Sequence, residues 1–137
     1  MDEMLILCRD ISVEAHKGQL RRGGKDYFTH PEAVANVLVD PMAKCVAYLH
    51  DVIEDTEETS GSLLSKGVRE DIVTHVLHLT KHPDTAYTDY IGRIRVCPIC
   101  KKVKIADMLH NLGDSPSKRQ QEKYTKGIFA LVEENNG

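Results

Sequence analysis

The sequence has no apolar run near the roughly 20 residues that a membrane-spanning helix needs. It also has no excess of basic residues, because 18 Lys and Arg face 21 Asp and Glu and the formal net charge is −3. A membrane span is therefore excluded, and nothing suggests a basic surface for nucleic acid. The start, MDEMLILCRD, lacks the basic residues and long apolar region of a signal peptide, so we expect a cytoplasmic protein.

Cysteine is scarce, with four residues at Cys8, Cys45, Cys97 and Cys100. In a cytoplasmic protein these are expected to be reduced thiols. The pair in CPIC (97–100) invites a zinc site, but structural zinc usually needs a second ligand pair at matching spacing. Cys8 and Cys45 lie far apart on apolar helical stripes, where a free cysteine behaves as a small hydrophobe. We therefore expect neither structural zinc nor a redox role.

Strand alternation is missing as well, since no run alternates apolar and polar residues over more than a few positions. Apolar residues instead recur at helical spacing between glycines and prolines, which predicts a compact all-α bundle. A length of 137 residues predicts a single domain over residues 1–137. The predicted helices cover residues 3–17, 31–39, 41–55, 62–66, 68–81, 89–96, 97–112 and 117–134, before a frayed end at 135–137.

Capping and turn-forming residues set several of these boundaries. Asp40 is a candidate N-cap with Pro41 at the first helical position, and Pro31 fits the first turn of the preceding helix. Gly67 would end the short helix at 62–66. The helix that follows is predicted to bury one apolar stripe, formed by Val68, Ile72, Val76 and Leu79.

Three histidines, His75, His78 and His82, are spaced three and four residues apart, so we expect them to share one flank of that helix. Such a flank could hold a second metal ion. An exposed polar edge beside the apolar stripe is the simpler interpretation, and the role of these histidines stays open.

An unusual acidic segment, VAYLHDVIEDTEE (46–58), follows the apolar part of the third predicted helix. A helix C-terminus favours cations, because the helix dipole is negative there. If the helix continues to residue 55, Glu54 stacks over His50 and Asp55 over Asp51, while Val52 and Ile53 face the core. Carboxylates this close would repel one another, and a divalent cation would remove that cost. His and Asp ligands together suit Mn²⁺, Fe²⁺ or Zn²⁺.

Further ligands must come from elsewhere in the chain. His30 lies just before Pro31, and Asp107 is an acid inside the otherwise apolar KIADMLHNL. Each residue alone has an ordinary interpretation: a hydrogen-bonded histidine, a solvated helix end, or an aspartate paired with a neighbouring lysine. The combination favours a site, because a buried aspartate is costly without a partner.

The whole pattern resembles a known family. The order H-x₁₉-HD with a later D, and the local patterns HDxxED and VKxADxxHN, resemble the HD-domain phosphohydrolases. Within them the chain is similar to the alarmone hydrolase domain of the RelA/SpoT group, especially its small stand-alone members. The matching stretches are AHKGQLRRGGKDYFTHP (15–31), AYLHDVIEDT (47–56) and KVKIADMLHNL (102–112), and the similarity in spacing covers nearly the whole chain.

This resemblance implies a helical HD-domain bundle and a metal-dependent reaction. The reaction removes the 3′-pyrophosphate from (p)ppGpp and leaves GDP or GTP. One divalent metal, typically Mn²⁺, would be bound between the helices by His30, His50, Asp51 and Asp107. Glu54 and Asp55 would orient and deprotonate the attacking water.

The resemblance also implies a guanine-nucleotide pocket. Arg21 and Arg22 align with a basic pair that lines this pocket, although LRRGGK taken alone could be a solvated loop. Asn111 resembles an asparagine that contacts the ribose or a phosphate. Tyr27 is expected beside the metal site or under the loop. Tyr124 takes the place of an aromatic residue near the pocket.

Several residues near the motifs depart from the family or have less certain roles. Met108 stands where the large bifunctional enzymes usually carry Arg, and LGDSPS replaces a segment in which they often carry Thr. His110 is expected to support the site or pack against it without binding metal, and Lys81 is a weak candidate for contacting the substrate. Because 137 residues leave no room for a synthetase domain, synthesis of the alarmone is not expected.

Two alternative functions remain open on the sequence. One is an HD phosphohydrolase that acts on another nucleotide, such as the 2′-phosphate of NADPH or a nucleoside monophosphate. The other is a nucleotide-binding module without turnover, although a site that has lost its reaction has no reason to keep clustered acids. The sequence leaves the oligomeric state, the native metal and the preference between ppGpp and pppGpp undetermined.

Overall fold

A computed structural model describes residues 2–132 of the chain, and every regular element in that range is a helix. Within this range nine helices follow one another: α1 (Asp2–Ala15), α2 (Thr29–Asn36), α3 (Pro41–Leu49), α4 (Val52–Asp55), α5 (Ser60–Ser65), α6 (Glu70–Leu79), α7 (Tyr87–Arg95), α8 (Pro98–Leu112) and α9 (Lys118–Val132). The predicted all-α helical bundle is confirmed.

The central element of the bundle is α3. It begins as predicted, with the Asp40 side chain accepting a hydrogen bond of 3.1 Å from the backbone N–H of Ala43 and with Pro41 in the first turn. Its residues are buried on nearly every side, which is typical of a helix in the middle of a core. Helices α1, α2, α6 and α8 pack around it.

The second organising element is α8, which packs against α2, α3, α6, α7 and α9. It places Val103, Ala106 and Met108 in the core together with Asp107. The C-terminal end of α3 and the first turn of α2 face the same part of α8. Three segments distant in sequence therefore meet at one place.

The apolar stripe predicted for α6 is confirmed, since Val68, Ile72, Val76 and Leu79 are all buried. The short helix α5 ends as predicted near Gly67, whose φ of +99° is a conformation that glycine adopts without strain. The predicted end of the last helix at residues 133–134, and the frayed segment 135–137, lie outside the described residues.

Several predicted helix bounds are wrong. The helix predicted at 31–39 ends at Asn36, and the one predicted to start at Val68 begins at Glu70. The third helix does not run to residue 55, because α3 ends at Leu49 and His50 and Asp51 form a turn before α4. His82 does not share a helix flank with His75 and His78, because α6 ends at Leu79 and His82 lies in the following loop. Apolar periodicity did not reveal either stop. At both ends a side chain contacts a terminal carbonyl: the His50 ring that of Ala47, and the Tyr90 hydroxyl that of Leu79.

The loop between α1 and α2 folds back on itself. Leu20 and Asp26 form an isolated antiparallel bridge, and the backbone N–H of Arg21 donates to the carbonyl of Lys25 at 2.7 Å. Gly24 closes this turn with a φ of +95°. The loop holds Arg21 and Tyr27 over the junction of α2, α3 and α8.

Within residues 2–132, none of the helices combines the length and apolar character that crossing a bilayer requires.

Burial of a single leucine should anchor the peripheral helix α5. Leu63 is fully buried, whereas its neighbour Leu64 is 44% exposed. We expect Leu63→Ala to lower the free energy of unfolding by about 2–5 kcal/mol through lost burial and a cavity, and Leu64→Ala by less than about 1 kcal/mol. Urea denaturation of both variants measures the difference, and equal losses would contradict this account of α5.

Candidate metal centre

His50 is positioned by the end of α3. The last carbonyls of a helix have no partner within the helix, and the His50 ring satisfies one of them. Its Nδ1 lies 2.6 Å from the carbonyl oxygen of Ala47, which can only accept, so Nδ1 carries the hydrogen. In the neutral ring the lone pair is therefore on Nε2. This buried atom has no hydrogen-bond partner among the described residues.

His30 and Asp107 come from two other helices. His30 is in the first turn of α2 and is 1% exposed, and Asp107 is in the middle of α8 and is 4% exposed. The Nε2 atom of His30 lies 2.7 Å from Oδ1 of Asp107. The same carboxylate oxygen is 3.4 Å from Nε2 of His50.

Asp51 completes a group of four side chains. Its Oδ2 lies 3.1 Å from Nε2 of His50 and 3.8 Å from Nε2 of His30. One potential ligand atom from each of His30, His50, Asp51 and Asp107 falls within 4.8 Å of the others. No other such group of three or more His, Cys, Asp or Glu occurs in the part of the chain that the structure describes.

The two carboxylates are fixed by neighbouring donors. Tyr27 donates its hydroxyl hydrogen to Oδ2 of Asp51 at 2.6 Å. On Asp107, the Lys104 ammonium donates to Oδ2 at 3.0 Å and the Asn111 amide donates to Oδ1 at 3.1 Å. Tyr27 thus lies beside the site, which was one of its two predicted positions.

Burial and charge act against each other in this cluster. Burial raises the pKa of Asp107, but Lys104 and the histidines outweigh it and hold that pKa well below its ordinary value. Burial likewise lowers the pKa of His50, yet Asp51 and Asp107 raise it well above the usual range. For Asp51, His50 overcomes the effect of burial and lowers the pKa to about 2. The carboxylates therefore remain charged and attract positive charge.

These residues fit a divalent cation. Two imidazole nitrogens and two carboxylate oxygens converge, and the His50 nitrogen that faces them has no other partner. Mixed nitrogen and oxygen donors of this kind suit Mn²⁺, Fe²⁺ or Zn²⁺. The His50 ring is oriented through its other nitrogen, as is usual for metal-binding histidines.

Glu54 and Asp55 lie on α4 beside this cluster. Glu54 accepts a hydrogen bond of 2.7 Å from the backbone N–H of Lys81, which ties the loop after α6 to the site. Partial burial, followed by the charges of Asp51 and Glu54, raises the pKa of Asp55 to about 6. A carboxyl group with such a pKa can exchange a proton near neutral pH.

Arg21 is more deeply buried than a solvated loop would allow, with 7% of its side chain exposed. It donates to Oδ1 of Asn111 at 2.9 Å and to Nδ1 of His110 at 3.0 Å, and it pairs with Asp114 at 3.2 Å. Arg22, in contrast, is exposed. The two arginines predicted to line one pocket therefore have different surroundings, and Asn111 uses both ends of its amide within the protein.

Tyr124 lies on α9, at the edge of the site. Burial, then the charge of Asp107, raises its hydroxyl pKa, and the charge of Lys104 opposes that rise. The Lys123 ammonium lies 5.8 Å from the Tyr124 ring centre and 4.8 Å from that of Tyr87.

Met108, where the large enzymes carry Arg, is fully buried. Its sulfur accepts a hydrogen bond from the Tyr87 hydroxyl.

Two supporting residues were missed or undervalued by the sequence reasoning. Lys104 precedes Asp107 by three positions on a helix, so the spacing could have identified it as the partner of the buried acid. His110 was assigned a supporting or packing role, but its contact with the His30 ring at 2.8 Å between Nδ1 atoms had no sequence signal.

None of the four cysteines belongs to the group of potential metal ligands. Cys8 and Cys45 are buried, as their apolar stripes predicted, and within residues 2–132 none of the four cysteines forms a disulfide bond. The Cys100 thiol donates to the carbonyl oxygen of His75 at 3.5 Å.

No protein-family model matches the chain. It is 31% identical over 147 aligned residues to a "Probable guanosine-3′,5′-bis(diphosphate) 3′-pyrophosphohydrolase" of Synechocystis, an alignment that covers 91% of this chain and 19% of that protein. It is 47% identical over 57 residues to the "Guanosine-3′,5′-bis(diphosphate) 3′-pyrophosphohydrolase" of Haemophilus influenzae, covering 39% of this chain and 8% of the relative. A "Probable GTP pyrophosphokinase" of Mycobacterium leprae is 34% identical over 139 residues, with 90% of this chain and 18% of the relative covered.

The chain thus spans less than a fifth of the length of each of these relatives, at 8%, 18% and 19%. A solved structure described as a metazoan ortholog of SpoT that hydrolyses ppGpp superposes with a TM-score of 0.80. That superposition covers 97% of this chain and 88% of the other at 20% sequence identity, so it establishes the fold.

The fold and the cluster define the class, an all-helical protein in which two histidines and two aspartates converge between the helices. Within that class, the sequence similarities confirm the resemblance to the (p)ppGpp 3′-pyrophosphohydrolases of the RelA/SpoT group.

Binding of a divalent cation should release protons near neutral pH. Asp51 and Asp107 raise the pKa of His50 in the metal-free protein, so a proton occupies this cluster at pH 7 and must leave before Nε2 can bind a cation. Affinity should therefore rise between pH 6 and pH 8. Titration calorimetry at pH 7 in buffers of different ionisation enthalpy should show release of about one proton per cation. A binding enthalpy that does not depend on the buffer would contradict the assignment.

Proposed function

We propose that the chain is a divalent-metal-dependent hydrolase that removes the 3′-pyrophosphate from (p)ppGpp and yields GDP or GTP and pyrophosphate. The observation that carries this proposal is the buried cluster of two histidines and two aspartates, with a His50 nitrogen free to bind a cation. The names of the similar proteins support the same reaction and substrate.

The proposed metal ligands are His30, His50, Asp51 and Asp107, with Mn²⁺ as the native ion. A cation held there would supply Lewis-acid stabilisation of negative charge on the phosphoryl group. Tyr27, Lys104 and Asn111 would fix the two carboxylates so that both direct an oxygen toward that position. Preorganised ligands of this kind lower the cost of binding and of charge stabilisation.

Asp55 is proposed as the base that accepts a proton from the attacking water, and Glu54 as the residue that orients that water. The pKa of about 6 places Asp55 near the value at which a base is effective at neutral pH. Glu54 is held in place through the backbone of Lys81. Catalysis of phosphoryl transfer depends mainly on such positioning and on charge stabilisation.

The nucleotide is proposed to bind on the side of the cluster bordered by the loop 16–28 and α9. The proposed contacts with the nucleotide are Arg22, Tyr27, Asn111 and Tyr124. Arg21 would join them on leaving its present partners. We further propose that residues 1–137 act as one hydrolase unit in the cytoplasm on a free guanine nucleotide, without nucleic acid or membrane.

Replacement of Asp55 tests the proposed base directly. Asp55→Asn should reduce pyrophosphate release from ppGpp by about 100-fold or more, because an amide cannot accept the proton, while binding of Mn²⁺ is retained. Glu57→Gln is the matched control, since Glu57 is an exposed acid two residues away. Release would be followed with Mn²⁺-loaded protein and with an EDTA-treated sample.

NADPH and a panel of nucleotides would be assayed in parallel. If one of these compounds releases phosphate while ppGpp is not hydrolysed, the proposed substrate is wrong and the proposed active site is retained. Full activity of Asp55→Asn on ppGpp would refute the assigned role of Asp55.

A further inference from the structure

The proposed base, Asp55, is carried by a very short helix. Helix α4 has four residues, Val52–Asp55. Backbone hydrogen bonds of 2.9 Å and 3.1 Å run from the N–H groups of Asp55 and Thr56 to the carbonyls of Asp51 and Val52. A single turn fixes several backbone dihedral angles for few hydrogen bonds, so it needs contacts from the rest of the fold to persist. The position of the Asp55 carboxyl group therefore depends on what holds α4 in place.

Gln19 holds the C-terminal end of this turn. It lies in the loop after α1, and its side-chain Nε2 donates a hydrogen bond of 3.0 Å to the backbone carbonyl of Asp55, 36 positions further along the chain. The last carbonyls of a helix have no partner within the helix, and this bond satisfies one of them. The loop that borders the metal centre is thus joined directly to the backbone of the proposed base.

The two neighbours of the Gln19 amide fix its orientation. A backbone carbonyl can only accept, so the amide nitrogen faces Asp55 and the amide oxygen faces the other way. That oxygen lies 2.9 Å from Nδ1 of His16, a buried residue, and accepts a hydrogen bond from it. Nδ1 can donate in this contact whether the imidazole ring is neutral or charged. The Gln19 side chain is therefore held at both ends of its amide.

The same loop also reaches a proposed metal ligand. The backbone carbonyl of Gln19 accepts a hydrogen bond of 2.8 Å from the N–H of Tyr27, whose hydroxyl donates to Oδ2 of Asp51 at 2.6 Å. Asp51 and Asp55 are the two ends of one short segment. One end is bonded to Tyr27 and the other to Gln19, and these two loop residues are bonded to each other. This arrangement fixes the proposed base relative to the metal centre.

We propose that Gln19 is a positioning residue for the hydrolysis, which holds α4 so that the Asp55 carboxyl group keeps one position beside the metal centre. Gln19 acts on the backbone of Asp55 and needs no contact with the nucleotide. Glu54 is held separately, through the backbone N–H of Lys81. The proposal rests on the proposed function, and it adds a residue for which the sequence pattern predicted no role.

Replacement of Gln19 by methionine tests this role. Gln19→Met removes the donor and the acceptor but keeps the length of the side chain and adds no charge. With Mn²⁺-loaded protein, kcat for ppGpp should fall about 10- to 100-fold, since a small displacement of a reacting group has effects of this size. KM and the affinity for Mn²⁺, measured by titration calorimetry, should stay unchanged, because the Gln19 side chain contacts neither the nucleotide nor a proposed ligand.

Gln121→Met is the matched control. Gln121 is an exposed glutamine that also donates to a backbone carbonyl, that of Pro116 at 3.3 Å. This variant loses the same kind of hydrogen bond away from α4, so its kcat should equal that of the wild-type protein. A raised KM in Gln19→Met with kcat unchanged would overturn the proposal and identify Gln19 as a contact of the nucleotide.

A double variant measures whether Gln19 acts through Asp55. In Asp55→Asn the carboxylate is already absent, so the addition of Gln19→Met should lower kcat by a much smaller factor than it does in the wild-type protein. If the two losses multiply in full, Gln19 acts somewhere other than on Asp55, and the proposal is wrong.

Hydrogen exchange of the metal-free protein provides a measurement that needs no hydrolysis. The N–H groups of Asp55 and Thr56 are bonded while α4 is formed. NMR should show both exchanging about 5- to 10-fold faster in Gln19→Met, as expected for the loss of one supporting hydrogen bond, and at wild-type rates in Gln121→Met. Wild-type exchange rates in Gln19→Met would overturn the proposal. Faster exchange in Gln19→Met, together with a wild-type protein that hydrolyses no ppGpp, would refute the proposed function and leave the contact of Gln19 with α4 intact.

Discussion

The rest of the structure depends on keeping two carboxylates, Asp51 and Asp107, charged inside a helical bundle. A buried charge costs several kcal/mol unless partners and hydrogen bonds compensate it. Those partners come from three places: Lys104 and Asn111 on α8, Tyr27 on the loop before α2, and the two histidines. This electrostatic requirement brings together segments that lie 77 residues apart in sequence, as the contact between His30 and Asp107 illustrates.

Interruption of the central helix creates the opening for this cluster. The helix stops at Leu49, and the chain turns at His50 and Asp51. In a longer helix the carbonyl of Ala47 would accept a hydrogen bond from a backbone N–H four residues on. Here the His50 ring donates to it instead, so the residue that ends the helix is also a proposed metal ligand. The acidic residues that follow face a centre that requires positive charge, which explains why the usual preference for cations at a helix C-terminus is reversed.

Local features of the sequence were sufficient to predict several helix positions and the residues that converge at the cluster. Asp40 and Pro41 specified the start of α3, and the spacing of Val68, Ile72, Val76 and Leu79 specified the buried face of α6. The predicted ligands His30, His50, Asp51 and Asp107 do converge in space, although their role as ligands stays a prediction. The extension of the third helix to residue 55 was wrong. The sequence pattern did not show the break, because the chain after it is helical again and the backbone N–H of Asp55 donates to the carbonyl of Asp51.

The helical class, the core stripes and the identity of the charged side chains follow from periodicity and residue chemistry along the chain, so they could be predicted from it. How those charges are used was settled by the packing of the helices. It buried Arg21 and exposed Arg22, two adjacent residues of the same type. It also joined His30, His110 and Arg21 through one nitrogen atom. Such choices depend on which donors and acceptors meet when distant helices pack, and no local pattern contains that information.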